Sequence, residues 1–194
     1  PKIIEIHPPF NDYCPSIEDF IEIYQVFERS ISKQYPETEI FIENRYGTLY
    51  RGGKFLISKA DEVERLCKSI SRMSLKLRIV LDFPQLFSAH NLGPGKFTED
   101  KIVSLMRTVY PFREFIKGVH LWGKKDYGSG KQLSHMGDLD TYFVEKDLKE
   151  IFLKELYDIL DDGIERYFVP EVNSSDVDLR NIIQDLKEYG FKFV

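Results

Sequence analysis

"LRIVLDFPQLFSAHN", residues 77–91, decides how this chain is read. Leu77–Leu81 is rich in branched apolar residues and reads as a strand buried on both faces. Such strands belong to parallel sheets covered by helices. Yet this one runs straight into Asp82, with Pro84 and Gln85 close behind. A carboxylate at the end of a buried strand requires a partner, because burying an unpaired charge is costly.

The same pattern repeats outward from that stretch. Strands are predicted at Ile3–His7, Glu39–Asn44, Leu77–Phe83, Lys117–Trp122, Tyr167–Val172 and Phe191–Val194. Between them, helices are predicted at Ile17–Gln34, Lys59–Met73, Thr98–Thr108 and Asp147–Leu160, and from Ser174, Ser175 or Asp176 to about Tyr189. Ser16 is a plausible N-cap, Glu99 and Asp100 sit in a first turn, and Gly190 stops the last helix. Strictly alternating strands and helices predict an α/β protein with a parallel sheet and helices outside it. The long segments 7–15, 45–56, 84–95 and 123–143 are read as loops at strand C-terminal ends, where such proteins build their sites.

With 194 residues, the chain is expected to form one domain. No apolar run approaches the ~20 residues of a membrane helix, and no signal peptide opens the sequence, so no membrane partner is expected. Cys14 and Cys67 alone do not make a disulfide framework, which points to a reducing, cytoplasmic setting. A net charge of −5 gives no overall attraction to nucleic acid, although a local basic patch could supply one. The chain starts at Pro1, directly on a strand-like segment, which suggests an excised or processed chain.

The strand ends carry the chemistry. "IIEIHPPF" ends in His7, "EIFIENRYG" in Glu43 and Asn44, "RIVLDFPQ" in Asp82, "KGVHLWGKK" in His120 and "YFVPEVN" in Glu171. The loop "LSHMGDLD" adds His135, leaving His90 as a surface or structural histidine. Any one of these carboxylates could simply cap a helix. Successive strands delivering carboxylate or imidazole at one depth suggest a shared cation, since clustered carboxylates otherwise repel. Mixed O and N ligands suit zinc foremost, with manganese, magnesium or cobalt also possible.

In their order along the chain, these motifs resemble the xylose-isomerase-like TIM-barrel superfamily, and within it most closely endonuclease IV. "HPPF", "IENRYG", "VLDFPQLFSAH", "KGVHLWGKKDYGSGKQLSH" and "FVPEV" are similar to successive strand ends of that family. The resemblance implies a TIM-type (β/α) barrel in which residues 1–194 form a single partial domain, equivalent to strands three to eight. The first two βα units would be absent and needed to complete the barrel. It further implies metal ligation by His7, Glu43, Asp82, His120, His135 and Glu171. Gln85 stands where the family has a ligating histidine, Leu133 where it has an aspartate, and Trp122 within a polar run of the family. The set Glu43, Asp82, His120 and Glu171 also matches the single-metal site of the superfamily's sugar isomerases and epimerases.

Three functions remain open on the sequence. The first is metal-dependent phosphodiester hydrolysis on damaged DNA, as the endonuclease IV resemblance implies. Basic loops with glycines and aromatics, carrying Arg45, Arg51, Lys54, Lys124, Lys125 and Lys131, would suit phosphate contact. The second is isomerisation or epimerisation of a small sugar by one ion, with Glu43 and Glu171 exchanging a proton with carbon. The third is a binding module descended from an enzyme. Glu43 and Glu171 are the candidate catalytic residues, and Asn44, Arg45, Gln85, Lys124, Lys125 and Lys131 the candidate substrate contacts.

Overall fold

The computed structural model describes residues 1–47, 53–126, 128 and 131–193. Five parallel strands form one sheet: β1 (Ile3–Ile6), β2 (Glu39–Glu43), β3 (Arg78–Asp82), β4 (Ile116–Leu121) and, after a hairpin, β7 (Tyr167–Pro170). They lie side by side in chain order, as successive βα crossovers place them. The helices α1 (Ile17–Gln34), α2 (Ala60–Met73), α3 (Phe83–Ala89), α4 (Glu99–Val109), α5 (Leu139–Phe143), α6 (Lys146–Leu160) and α7 (Asp176–Tyr189) complete the chain with the short antiparallel hairpin β5 (Lys124–Asp126) and β6 (Gln132–Ser134). The helix starts follow their caps: Ser16, Thr98 and Ser175 each accept a bond from the amide three residues on.

Alternation along each strand divides its side chains between two faces. Ile40, Ile42, Ile79, Leu81, Val119 and Leu121 point outward into the main core, with Leu66, Ile70, Met106 and Leu156 of the helices. Phe41 and Val80 face the other way and are buried outside that core. This inner face is concave. Phe41 of β2 reaches Tyr167 of β7 with ring centroids 6.0 Å apart, although two strands separate them. Gly118 belongs to the same layer, and a Cβ there would meet a Val80 methyl at 2.8 Å. The sheet is therefore a curled half-barrel of the TIM type, with the strand C-termini gathered at one rim.

The structure corrects the sequence reading in three places. Six strands were expected, but Phe191–Phe193 do not pair, and Val194 lies outside the described residues. Phe191 instead packs its ring on Tyr157 and Phe168, at 5.3 and 5.0 Å, so it covers the α6–β7 layer rather than extending the ladder. The stretch read as a loop from Pro84 contains α3, and the segment 123–143 contains the β5–β6 hairpin and α5.

Candidate metal centre

Register brings the expected residues to one rim. Asp82 and His120 are direct neighbours across β3 and β4. Glu43 ends β2, and the Glu171 amide bonds to the Leu121 carbonyl at 3.0 Å, extending the sheet by a residue. Glu43, Asp82, His120 and Glu171 each offer a ligand atom, and these atoms all lie within 4.8 Å of one another. Glu43, Asp82 and His120 are 2%, 0% and 3% exposed, while the Glu171 side chain is 31% exposed.

His120 is the centre of the group. Its Nδ1 lies 3.3 Å from a Glu43 oxygen and 3.3 Å from a Glu171 oxygen, yet it meets hydrogen-bond geometry with neither. Its Nε2 lies 3.4 Å from the Glu5 carboxylate on β1. A proton on Nε2 would face Glu5 and leave the buried Nδ1 lone pair aimed between two carboxylates. That is the tautomer and second partner a ligating histidine requires. The donor set therefore fits a divalent ion, with three carboxylates and one imidazole converging on a common point.

Charge effects agree with crowding. Burial pushes the Asp82 carboxyl well above its ordinary value, against the opposing bonds from Trp122 and Gln85. Burial also works to raise Glu43, but His120, Arg45 and His7 outweigh it and hold Glu43 below the usual range. For His120, burial favours the neutral ring, but Glu43, Glu5 and Glu171 outweigh it and hold its pKa up at about 10. In the metal-free protein, a proton on His120 is the cation shared by these carboxylates.

Asp82 has two roles at once. One oxygen accepts the Gln85 amide at 2.8 Å and caps α3; the other accepts the Trp122 indole N–H at 2.8 Å. The sequence offered helix capping and metal binding as alternatives, and the geometry permits both, because a carboxylate has lone pairs for each. Trp122 was missed as a site residue. It holds Asp82 and stacks on His135, with ring centroids 4.4 Å apart. No local signal links residues 40 positions apart, as these two are.

The remaining expected residues fall around this group. His135 stands outside it, with Nδ1 3.4 Å from the second Glu171 oxygen. His7 forms a separate trio with Glu5 and Glu43, again within 4.8 Å. The guanidinium of Arg45 reaches His7 at 2.7 Å and Glu43 at 3.5 Å. Asn44 is buried and bridges strands instead of facing a substrate: it accepts the Asp82 amide at 2.8 Å and donates to the Asp82 carbonyl at 3.1 Å. Gln85 accepts the Tyr46 amide at 3.1 Å and so anchors the loop after β2. Lys125 pairs with Asp178 at 2.8 Å. Lys124 stays near the site, 3.3 Å from the Ser88 hydroxyl and 5.6 Å from the Trp122 ring centroid, and burial lowers its pKa. Lys54 lies away from the group, its amide bound to Asn11; Lys131 is exposed, and Arg51 lies outside the described residues. His90 accepts the Ala60 amide at 3.2 Å, a structural role.

No known family and no curated protein matches this sequence. Solved structures do match its fold. A probable 3-DHS dehydratase, AsbF, involved in petrobactin synthesis from Bacillus anthracis, aligns with a TM-score of 0.60 at 11% identity, over 96% of this chain and 63% of its own. A xylose isomerase domain protein from Planctomyces limnophilus aligns with a TM-score of 0.52 at 14% identity, over 97% and 58%. The fold is part of a TIM-type barrel. The chain spans less than two thirds of the length of either neighbour. Among the described residues, no helix is long and apolar enough to cross a membrane, and both cysteines are free and buried.

Proposed function

We propose that this rim is a one-ion centre for proton transfer on a small polyhydroxylated carbonyl compound, the chemistry of sugar isomerases, epimerases and related dehydratases. The observation that carries this reading is the bare, buried Nδ1 of His120 between Glu43 and Glu171. Glu43, Asp82, His120 and Glu171 would hold the ion. When bound, a divalent ion polarises a carbonyl and acidifies the neighbouring C–H and O–H. The protein supplies the bases. Glu43 and Glu171 each turn one oxygen toward His120 and the other toward a second histidine, His7 at 3.0 Å and His135 at 3.4 Å. One carboxylate removes a proton from carbon and the other returns one, with Arg45 beside Glu43 and His135 beside Glu171 orienting them. Asp82, fixed by Trp122 and the α3 amide, holds charge without moving. The names of the two structural neighbours, a dehydratase and a xylose isomerase domain protein, agree with this class.

Phosphodiester hydrolysis has less support. Gln85 is engaged with the Tyr46 amide, Leu133 is exposed on the hairpin, and Lys125 is paired with Asp178. These positions assemble neither a third ligand set nor a row of phosphate contacts.

The test is solvent exchange in D2O. A panel of aldoses, ketoses and hydroxylated keto acids would be incubated with the protein and manganese, magnesium, cobalt or zinc. Deuterium should enter carbon next to the carbonyl of at least one compound, and Glu43→Gln or Glu171→Gln should abolish it. Absence of exchange with every compound and metal, or cleavage of abasic-site DNA instead, would overturn the reading.

A further inference from the structure

We infer that Arg45 acts as the resident cation of the outer half of the rim and limits the centre to a single metal ion; this rests on the one-ion reading above. The trio Glu5, His7 and Glu43 has the composition and spacing of a second ligand group, and it shares Glu43 with the first. Its central point is already taken. Arg45 Nη1 lies 2.7 Å from His7 Nε2 and 3.5 Å from Glu43 Oε2, while those two acceptors are themselves 3.0 Å apart. Arginine only donates and does not lose its charge in proteins. His7 Nε2 must therefore accept, so it presents a lone pair beside a carboxylate oxygen to a common cation. A metal ion would use the same two atoms.

The guanidinium is held in place. The Arg45 amide donates to the Ile57 carbonyl at 2.8 Å, and the Ser58 hydroxyl donates to the Arg45 carbonyl at 2.5 Å. The guanidinium carbon stands 5.8 Å from the centroid of Phe55, which stacks on Phe10 at 4.1 Å. An ion entering the trio would have to displace this charge or sit beside it, and two cations a few ångströms apart repel. Arg45 is thus a positioning and selectivity residue, neutralising Glu43 on the side away from His120.

Metal stoichiometry tests this without reference to activity. The chain and its variants would be stripped, saturated with zinc, freed of excess ion and assayed by elemental analysis. The wild type should hold about one zinc per chain, and Arg45→Met, which keeps a long unbranched side chain but removes the charge, about two. Arg45→Lys should stay at about one. His7→Ala, at a residue whose side chain is 53% exposed, checks the same point in a fold left intact, and it should still hold about one zinc per chain. Two ions in the wild type, one in a folded Arg45→Met, or loss of zinc in His7→Ala would each overturn the role of Arg45 while leaving a metal centre standing. No zinc, manganese or cobalt in the wild type would instead remove the centre itself.

Discussion

The two ends of this half-barrel each bury charge, and they do so in opposite ways. At the N-terminal end of the strands, Arg166, its side chain 2% exposed, has every direction filled. It donates to the carbonyls of Ile116, Leu160, Ile164 and Arg113 and grips both oxygens of Asp162 at 2.7 Å. Nearby, Glu28 accepts the amides of Lys76 and Leu77 just before β3. At the C-terminal end, four ligand groups crowd together, and His120 Nδ1 lies 3.3 Å from two carboxylates without meeting hydrogen-bond geometry with either. The Tyr24 hydroxyl beside Glu28 also lacks a hydrogen bond, but it is a single neutral group, whereas the unbonded Nδ1 of His120 sits among carboxylates. The N-terminal end therefore reads as structure and the C-terminal end as a place kept for something else.

Mutation can break this contrast. The largest expected effect is at the N-terminal end. Arg166→Ala strands Asp162 and several carbonyls and should cost about 3–5 kcal/mol, seen as a lower urea midpoint with an unchanged slope. A cost below about 1 kcal/mol would mean that the N-terminal cluster is not structural. Next comes Trp122→Phe, which keeps the ring but removes the donor to Asp82. It should cost about 1–3 kcal/mol and weaken metal binding roughly tenfold or more.

Asp82→Asn sharpens the contrast because it should separate metal binding from stability. Asparagine has one acceptor oxygen, so it keeps either the α3 cap or the Trp122 bond and turns its NH2 toward the other donor, while it relieves the crowding of carboxyls. The two effects should leave metal-free stability within about 1 kcal/mol of wild type in a thermal melt, while the metal-dependent rise in melting temperature shrinks. A loss of about 3 kcal/mol or more in metal-free stability would place Asp82 with Arg166, as structure first.

The protonation of His120 gives a further test. Its folded pKa is raised above the unfolded value to about 10, so its contribution to metal-free stability is complete below the ordinary histidine range and fades as pH climbs through about 10. A metal must displace that proton. Affinity should therefore increase by about tenfold per pH unit between neutrality and pH 9, with about one proton released per ion. Calorimetry in buffers of different ionisation enthalpy measures this directly. The smallest effect is at Asp162, whose bonds to Arg166 hold its pKa below the usual range. Its contribution is present above the ordinary carboxylate range and lost as pH falls through its lowered pKa. Asp162→Asn should flatten that acid limb by about 1 kcal/mol or less.

How much of this could be read from the sequence follows from how local each signal was. Glu43, Asp82, His120 and Glu171 stood out because alternation and burial place one polar residue at the end of each apolar strand. Helix α3 was overlooked although Asp82 and Pro84 form a regular helix start, because its seven residues are apolar on most sides and show no amphipathic period. The hairpin was overlooked because its strands are short and polar. Phe191–Val194 looked like a strand by composition, but its rings found partners on Tyr157 and Phe168 instead. Trp122 and Asn44 act through partners far away in sequence, and Arg166 ties nearby Asp162 to the distant carbonyls of Ile116 and Arg113; no periodicity reports such contacts.

The most direct test of the central claim is calorimetric titration of the stripped chain with manganese, beside Glu171→Gln and Arg166→Lys. The expected result is one saturable site in the wild type and in Arg166→Lys, with affinity reduced at least about a hundredfold in Glu171→Gln. A chain that binds no ion, or a Glu171→Gln variant that binds as well as wild type, would contradict the assignment of the C-terminal rim as a metal centre.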